Sequence, residues 1–196
     1  MTTEEEHKII NKVLSGRTES YAMLVDEYKD MAFTVAVRIL RNKQDAEEIA
    51  MDAFVKAYEN LKNFNMSSRF SSWLYRITYN AAIDLKRKTK PDFMSMDEID
   101  QNSNYLDKII FENTDDNLND LEEKDRIKYV RKALNALPED ESVIMTLYYL
   151  SGNTVKEISE ITGLSSSNVK VKLFRSRNKL YKELKRLLKD EIGNLL

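Results

Sequence analysis

The chain contains very few residues that interrupt helices. Its 196 residues include four glycines and two prolines, whereas an average soluble chain of this length has roughly 14 glycines and about 10 prolines. β-Sandwiches, β-barrels and glycine-rich nucleotide-binding folds need turn residues every few positions. The sequence therefore argues against these folds, and we predict an all-α protein.

Helical periodicity supports this prediction on both sides of a central stretch. Apolar residues recur at the spacing i, i+3, i+4, i+7 over residues 21–40 and again over residues 46–61, as expected for amphipathic helices. We also predict a short first helix over residues 4–14 and a helix over residues 71–88. Past the central stretch, a helix ends near Leu137, and Pro138 begins the next one.

The net charge of −2 conceals an uneven distribution of charge. Residues 92–125 carry two basic and 12 acidic side chains, whereas residues 166–196 carry nine basic and three acidic side chains. The acidic stretch has no sustained apolar period, which is typical of a flexible segment. We predict two small helical domains, residues 1–91 and 126–196, joined by a flexible acidic linker at 92–125.

The composition excludes several kinds of site. The chain has no cysteine, so disulfides and thiolate metal sites are excluded, and its one histidine, His7, is expected to be a solvated residue. We predict no metal, no other cofactor and no catalytic residues, because the carboxylates have neither histidine nor a phosphate-binding loop beside them. No apolar run is long enough to insert in a membrane, and we expect a cytoplasmic protein.

Residues 154–196 predict a helix-turn-helix. A short helix ends at Gly163, where a left-handed residue suits a tight turn, and a long basic helix follows. One side of this helix carries Ser167, Lys170, Val171, Phe174, Arg175 and Asn178, flanked by Lys172. Cations bind phosphate, whereas short and apolar groups reach base edges, so this side fits a DNA groove. The alternative is a solvated basic helix whose Phe174 packs on a neighbour.

Two features of the first domain suggest binding surfaces. The helix near 45–61 carries carboxylates on one side, which are either solvated or form a docking surface for a basic partner. Residues 63–73 form a polar loop with aromatic residues, and Asn80 and Asp84 follow at a spacing of four. Such a loop can receive an unstacked base, and amides and carboxylates can read base edges. Phe70 and Trp73 are expected in the core.

Two sequence blocks, taken in order, resemble bacterial RNA polymerase sigma factors of the sigma-70 family, in the extracytoplasmic-function (ECF) group. The first contains Asp45-Ala-Glu-Glu-Ile-Ala-Met-Asp52 and Phe70-Ser-Ser-Trp-Leu-Tyr-Arg-Ile. The second contains Leu137-Pro138 and the helix Val169-Lys-Val-Lys-Leu-Phe-Arg-Ser-Arg. The resemblance implies that the first domain is similar to sigma region 2 and the second to the helix-turn-helix of region 4.

The resemblance also implies roles for individual residues. Four residues match the surface that binds core RNA polymerase: Asp45, Glu48, Met51 and Asp52. Ten match the surface that binds the promoter −10 element: Phe64, Asn65, Met66, Ser67, Ser68, Asn80, Asp84, Lys86, Arg87 and Lys88. Six match the surface that binds the −35 element: Ser167, Lys170, Val171, Lys172, Phe174 and Arg175.

A protein of this group is expected to lend promoter specificity to core polymerase and to melt promoter DNA without catalysis of its own. The resemblance implies a monomer when free and control by an anti-sigma factor, which is often anchored in a membrane. Two alternatives remain at this point. One is a helix-turn-helix regulator with a helical sensing domain, expected to dimerise on palindromic DNA. The other is a helical adaptor that does not contact DNA.

Overall fold

The N-terminal part of the chain folds into four α-helices. The computed structural model describes residues 1–88 and 123–194. Its first four helices are α1 (Thr3–Leu14), α2 (Tyr21–Leu40), α3 (Lys43–Glu59) and α4 (Phe70–Lys88), with short 3-10 turns at Thr18–Ser20 and Leu61–Asn63. Helices α2, α3 and α4 pack against one another, and α1 packs against α2 and α4. We call this part the N-terminal unit.

The C-terminal unit contains α5 (Glu123–Asn135), α6 (Glu139–Tyr149), α7 (Val155–Thr162) and α8 (Ser166–Asn194). Helices α7 and α8 form the predicted helix-turn-helix. The turn begins at Gly163 with φ of 74°, a left-handed conformation that costs glycine nothing. Ser165 Oγ then accepts a hydrogen bond from Asn168 N at 3.3 Å and caps α8.

Side-chain caps explain where several helices begin. Thr2 and Glu5 form a capping box at α1, and Thr154 and Glu157 form another at α7. Asn42 accepts from Asp45 N at 3.1 Å and begins α3. Each cap satisfies backbone N–H groups that have no partner within the first turn of a helix.

The core confirms the predicted helical faces. The apolar positions of α2 and α3 that follow the helical period, such as Leu24, Val35 and Ala53, are fully buried. Phe70 is also fully buried, whereas Trp73 is half-buried. Every regular element within residues 1–88 and 123–194 is helical, so the all-α prediction is confirmed.

The linker prediction lies mostly outside the described residues. Its last three residues do not: α5 begins at Glu123, so the second helical segment starts before residue 126. The domain boundaries at 91 and 126 otherwise stay predictions.

The two units are in contact, which the helical pattern did not indicate. Helix α6 packs against α2, and α7 packs against α4. Ser72 Oγ of α4 donates to Glu157 Oε1 at 2.7 Å and accepts from Asn153 Nδ2 at 3.0 Å. Arg41 lies 3.5 Å from the Glu139 carboxylate. Hydrogen bonds and ion pairs thus line part of this contact.

Candidate polymerase-binding and DNA-binding surfaces

Helix α3 presents an acidic surface that also carries apolar side chains. Glu48, Met51 and Asp52 are exposed, and Asp45 is half-buried in the first turn of the helix. Met51 is 72% exposed. These are the four residues predicted to bind polymerase, and the structure places them together on one side of α3.

Two further residues extend this surface and were missed from the sequence. Val55 and Tyr58 follow Met51 along α3 at spacings of four and three, and both are exposed. The Tyr58 ring makes an edge contact with Tyr21 at 5.0 Å between centroids. The apolar side chains of Val55 and Tyr58 lie on the polar side of an amphipathic helix, and this feature of the sequence could have identified them. An exposed helical face that mixes carboxylates and apolar side chains fits a partner helix with basic and apolar groups.

The loop between α3 and α4 has an exposed polar part. Asn65 and Ser67 are exposed, whereas Met66 and Ser68 are half-buried. Asn65 Oδ1 accepts from Ser67 N at 3.0 Å, and Asn65 O accepts from Ser68 Oγ at 2.9 Å. These bonds form a compact turn of the kind that asparagine favours. Its exposed amide and hydroxyl groups can bind the polar edge of a base.

Phe64 corrects one prediction for this loop. The sequence places it among the residues that contact −10 DNA, but its side chain is 7% exposed. The ring lies 5.1 Å from Trp73 and 6.0 Å from Phe70 between centroids. Since aromatic rings pack closely in edge and tilted geometries, the start of the loop is held in the core. In this structure, Phe64 supports the loop instead of offering a face to a base.

A cleft beside the loop brings together residues that sequence reasoning did not connect. Its volume is about 370 Å³, and its lining residues are Lys56, Asn60, Asn63, Trp73 and Ile77. The two asparagines supply donors and acceptors, and the half-buried Trp73 supplies an aromatic face. Nothing in the helical spacing of α3 and α4 indicates that these positions surround one space.

Helix α4 carries the predicted −10 residues along an exposed edge. Asn80, Asp84, Arg87 and Lys88 are exposed, and Arg87 lies 3.7 Å from the Asp84 carboxylate. Because both members of this pair are well exposed, the ion pair contributes little to stability. It leaves both side chains free to exchange partners when nucleic acid binds.

Lys86 departs from the prediction. Instead of facing outward with its neighbours, it forms an ion pair with Glu139 of α6. Burial lowers the pKa of Lys86 from its ordinary value, and the nearby Arg41 adds to this effect. Its ammonium group is therefore engaged by the C-terminal unit in this arrangement and is not presented to a phosphate.

The predicted −35 surface is exposed on α8. Ser167, Lys170 and Arg175 are exposed, Val171 is 45% exposed and Phe174 is 66% exposed. The alternative in which Phe174 packs on a neighbour is thus wrong for this structure. An exposed aromatic ring among cations fits a DNA groove, where apolar contacts reach thymine methyl groups.

Lys172 is the exception on this helix. It is half-buried and forms an ion pair with Asp140 at the start of α6. Both charges act on Tyr79 of α4. Burial raises the pKa of Tyr79, the Asp140 carboxylate adds to the rise, and the Lys172 ammonium group opposes it. Lys172 therefore lies near the contact between the units, whereas the other predicted −35 residues face away from the core.

Buried groups fix the orientation of the exposed side of α8. Val169 and Leu173 are buried on the opposite side. Ser176, which is fully buried, donates to Glu141 at 3.2 Å, and Lys179 Nζ donates to the same carboxylate at 2.7 Å. These contacts hold α8 on α6 and set which side chains point outward.

The described residues contain no cluster of three or more histidine, aspartate or glutamate side chains that could hold a metal ion. Among residues 1–88 and 123–194, no helix is both long and apolar enough to cross a membrane.

A helical unit with an exposed acidic helix and a polar loop, followed by a basic helix-turn-helix, is the arrangement that the sequence resemblance to RNA polymerase sigma factors implied, and the family comparisons agree with it. The family model of Sigma-70 region 2 matches residues 24–91, and that of Sigma-70, region 4 matches residues 127–180. More narrowly, the chain belongs to the ECF family of RNA polymerase sigma factors. It is 34% identical over 184 residues to the ECF RNA polymerase sigma factor SigW of Bacillus subtilis (92% of this chain, 97% of SigW).

Other relatives agree along almost the whole chain. The RNA polymerase sigma-H factor of Pseudomonas aeruginosa is 29% identical over 199 residues, covering 97% of this chain and 99% of that protein. The ECF RNA polymerase sigma-E factor of Escherichia coli K12 is 26% identical over 187 residues, covering 92% and 95%. The resemblance read from the sequence is confirmed.

Two solved structures share the fold. CnrH in complex with the cytosolic domain of CnrY has a TM-score of 0.62 at 20% identity, covering 92% of this chain and 97% of CnrH. The sigma factor RpoE in complex with the anti-sigma factor NepR from Bartonella quintana has a TM-score of 0.60 at 20% identity, covering 85% and 98%. The family models and the 34% identical relative, and not these structures, identify the chain as a transcription initiation factor, so the alternatives of a ligand-sensing regulator and of an adaptor are set aside.

Proposed function

We propose that this sigma factor uses three separate surfaces to bring core RNA polymerase to promoters and to open them. The exposed side of α3 binds polymerase, the loop 64–69 with α4 binds the −10 element, and the exposed side of α8 binds the −35 element. The observation that carries the proposal is the exposure of Met51 and Phe174, at 72% and 66%. Each has an exposed apolar neighbour, Val55 beside Met51 and Val171 beside Phe174, and contiguous apolar patches of this kind are typical of interaction surfaces.

The α3 surface docks on a helical part of the polymerase. Its carboxylates at 45, 48 and 52 attract a basic partner, while Met51 and Val55 supply apolar contact area. Charged groups of this kind set orientation and association rate more than final affinity. The apolar stripe therefore contributes most of the binding free energy.

The −10 surface captures the non-template strand. Asn65 and Ser67 hold an unstacked base, and Asn80 and Asp84 read base edges from the exposed edge of α4. Asp84 accepts a hydrogen bond from a donor such as cytosine N4 but repels phosphate. Arg87 and Lys88 bind the backbone. Lys86 joins them only when its ion pair with Glu139 is released.

The −35 surface reads duplex DNA through the major groove. Lys170 and Arg175 bind phosphate or guanine, whereas Val171 and Phe174 make apolar contacts with base edges. Val171 has no hydrogen-bonding group, so it favours a thymine methyl group over a polar edge. Residues 92–125, with their excess of acidic side chains, suit a positively lined channel of the polymerase.

An anti-sigma factor controls this protein in our proposal. CnrH shares the fold and was solved in complex with the cytosolic domain of CnrY. RpoE from Bartonella quintana also shares the fold and was solved in complex with the anti-sigma factor NepR. A partner of this kind would cover the exposed apolar residues of α3. The free protein is a cytoplasmic monomer without catalytic chemistry of its own.

Run-off transcription of a genomic DNA library tests this function. Holoenzyme reconstituted from core polymerase and the wild-type chain is expected to initiate at start sites that share two upstream elements. Core polymerase alone and holoenzyme assembled with Met51→Lys are the controls. If the wild-type holoenzyme initiates at no site in the library, the proposal is refuted. A dimer that binds palindromic DNA without migrating with core polymerase in gel filtration would favour a conventional helix-turn-helix regulator.

A further inference from the structure

Helix α1 lies before the residues that match Sigma-70 region 2, yet it contacts the proposed −10 loop. Glu6 of α1 is fully buried. Its carboxylate accepts hydrogen bonds from Phe70 N at 3.0 Å and from Ser71 N at 3.3 Å. These are the first two backbone N–H groups of α4, where the loop ends.

The local sequence explains why a distant carboxylate is needed there. The residue before α4 is Arg69, whose side chain has donors but no acceptor and so cannot cap the helix. Backbone N–H groups in the first turn need an acceptor when they are buried. Glu6 supplies it, and Tyr28 Oη donates to Glu6 Oε1 at 2.6 Å and fixes the carboxylate. Burial and this hydrogen bond both raise the pKa of Tyr28, so its hydroxyl remains a donor.

The next residue of α1 holds two other points of the loop. His7 Nε2 lies 3.1 Å from Ser68 O, and because a carbonyl oxygen only accepts, Nε2 is the donor. The His7 ring also makes an edge contact with Phe64, with 6.1 Å between centroids. Phe64 begins the loop and Ser68 lies near its end. The expectation that His7 is a solvated residue is therefore wrong.

We propose that Glu6 and His7 are positioning residues for promoter opening: α1 holds the loop 64–69 in the shape that receives the unstacked base. The inference rests on the proposed −10 function of that loop. Unstacking a base costs free energy, and a receiving loop that must first become ordered adds to this cost. A loop already tied to α1 at its start and near its end avoids that addition, while Asn65 and Ser67 remain exposed to the strand.

Variants of His7 separate positioning from general stability. His7→Ala removes the donor to Ser68 O, whereas His7→Gln keeps a nitrogen donor near the position of Nε2. Lys8→Ala is the matched control, because Lys8 is an exposed neighbour on the same helix whose partner is Glu4. Each chain is assembled with core polymerase. The probe is a fluorescent single-stranded oligonucleotide carrying the non-template −10 sequence of a promoter mapped with the wild-type protein.

We expect His7→Ala to weaken binding of this oligonucleotide by about three- to tenfold, as for loss of one hydrogen bond, with affinity for core polymerase and for a −35 duplex unchanged. His7→Gln should recover most of the loss, and Lys8→Ala should match the wild type. Equal oligonucleotide binding by His7→Ala and the wild type overturns the inference. Failure of His7→Gln to recover binding also overturns it. An equal loss of affinity for core polymerase in His7→Ala would indicate a merely structural role and overturns it as well.

Glu6→Gln tests, in the same assay, the cap that Glu6 provides where the loop ends and α4 begins. The amide keeps one acceptor but presents an N–H₂ group to donors, so −10 binding should fall several-fold while core binding persists. Wild-type −10 binding by this variant, or a parallel loss of core affinity and thermal stability, overturns the role of Glu6. If the wild-type holoenzyme itself shows no preference for the −10 strand, the proposed function fails instead.

Discussion

Replacing Phe174 by alanine should reduce recognition of the −35 element while leaving the fold intact. The ring is 66% exposed, so its truncation removes few contacts within the protein. Substitutions at such positions change the free energy of unfolding by at most about 0.5 kcal/mol. The thermal unfolding midpoint of Phe174→Ala should therefore be close to that of the wild type.

The exposed area sets the size of the binding effect. An aromatic side chain buries roughly 200 Å² when fully covered, so the exposed two-thirds leave about 130 Å² for contact with DNA. At about 25 cal/mol per Å², covering this area contributes up to about 3 kcal/mol. Because a groove remains partly hydrated, we expect the loss of affinity for the preferred −35 sequence to be about 10-fold and at most about 100-fold.

Binding of reconstituted holoenzyme to promoter DNA measures this effect. A library with random −35 positions first selects the sequence that wild-type holoenzyme prefers, and fluorescence anisotropy then compares selected with scrambled fragments at one salt concentration. Tyr181→Ala is the matched control, since Tyr181 lies two turns further along α8 and is 67% exposed. Unchanged discrimination by Phe174→Ala would refute the assignment. If Tyr181→Ala and Phe174→Ala lost equal affinity, and did so for selected and scrambled fragments alike, aromatic area on this helix would act without sequence preference.

Three further predictions concern other surfaces. Met51→Lys should weaken core-polymerase binding at least tenfold without lowering the unfolding midpoint, and retention of wild-type affinity in gel filtration would exclude α3 as the docking surface. Glu139→Gln should release Lys86 and steepen the salt dependence of −10 single-strand binding by about 0.7 units of log K per log salt; an unchanged slope would contradict this. Burial acts to raise the pKa of Glu157, but hydrogen bonds from Ser72 and Thr154 lower it overall. The Glu157 carboxylate thus stabilises the fold above pH 4.5, its ordinary pKa, and this stabilisation is lost as the pH falls through the lower folded-state pKa. In Glu157→Gln, the thermal unfolding midpoint should therefore depend less on pH in that range.

Local rules were sufficient for the helices and for the turn between α7 and α8. Gly163 was expected at the turn of the helix-turn-helix, and its φ is positive. The outward side of α8 that carries Phe174 also followed from the sequence, because the spacing of Val169 and Leu173 fixes which side of the helix turns inward. A buried stripe specifies its opposite face at the same time, so the outward positions of Lys170, Phe174 and Arg175 needed no tertiary information, whereas the ion pair of Lys172 with Asp140 did.

Contacts between distant segments could not be predicted in this way. Glu6 lies in a glutamate-rich start that looks solvated, and only the folded chain brings it to Phe70 and Ser71. Phe64 lies in a polar stretch, but three aromatic neighbours from α1 and α4 enclose it. Helical periodicity defines the face on which a residue lies and carries no information on a partner 60 residues away.

The contact between the units bears on how the two promoter surfaces work together. Most predicted DNA contacts are set within one unit: Asn80 and Asp84 by α4, and Phe174 by α8 packed on α6. Lys86 is the exception, since its ion pair crosses to the other unit. Glu157 accepts from Ser72 across the contact but also caps its own helix through Thr154 N at 2.8 Å, so separation of the units would exchange its bond with Ser72 for water and leave the cap in place. Such an exchange has a net cost of about 1 kcal/mol per hydrogen bond. Loss of the Ser72–Glu157 hydrogen bond therefore opposes separation only weakly, and breaking the Lys86–Glu139 ion pair would add Lys86 to the cations available for the −10 strand.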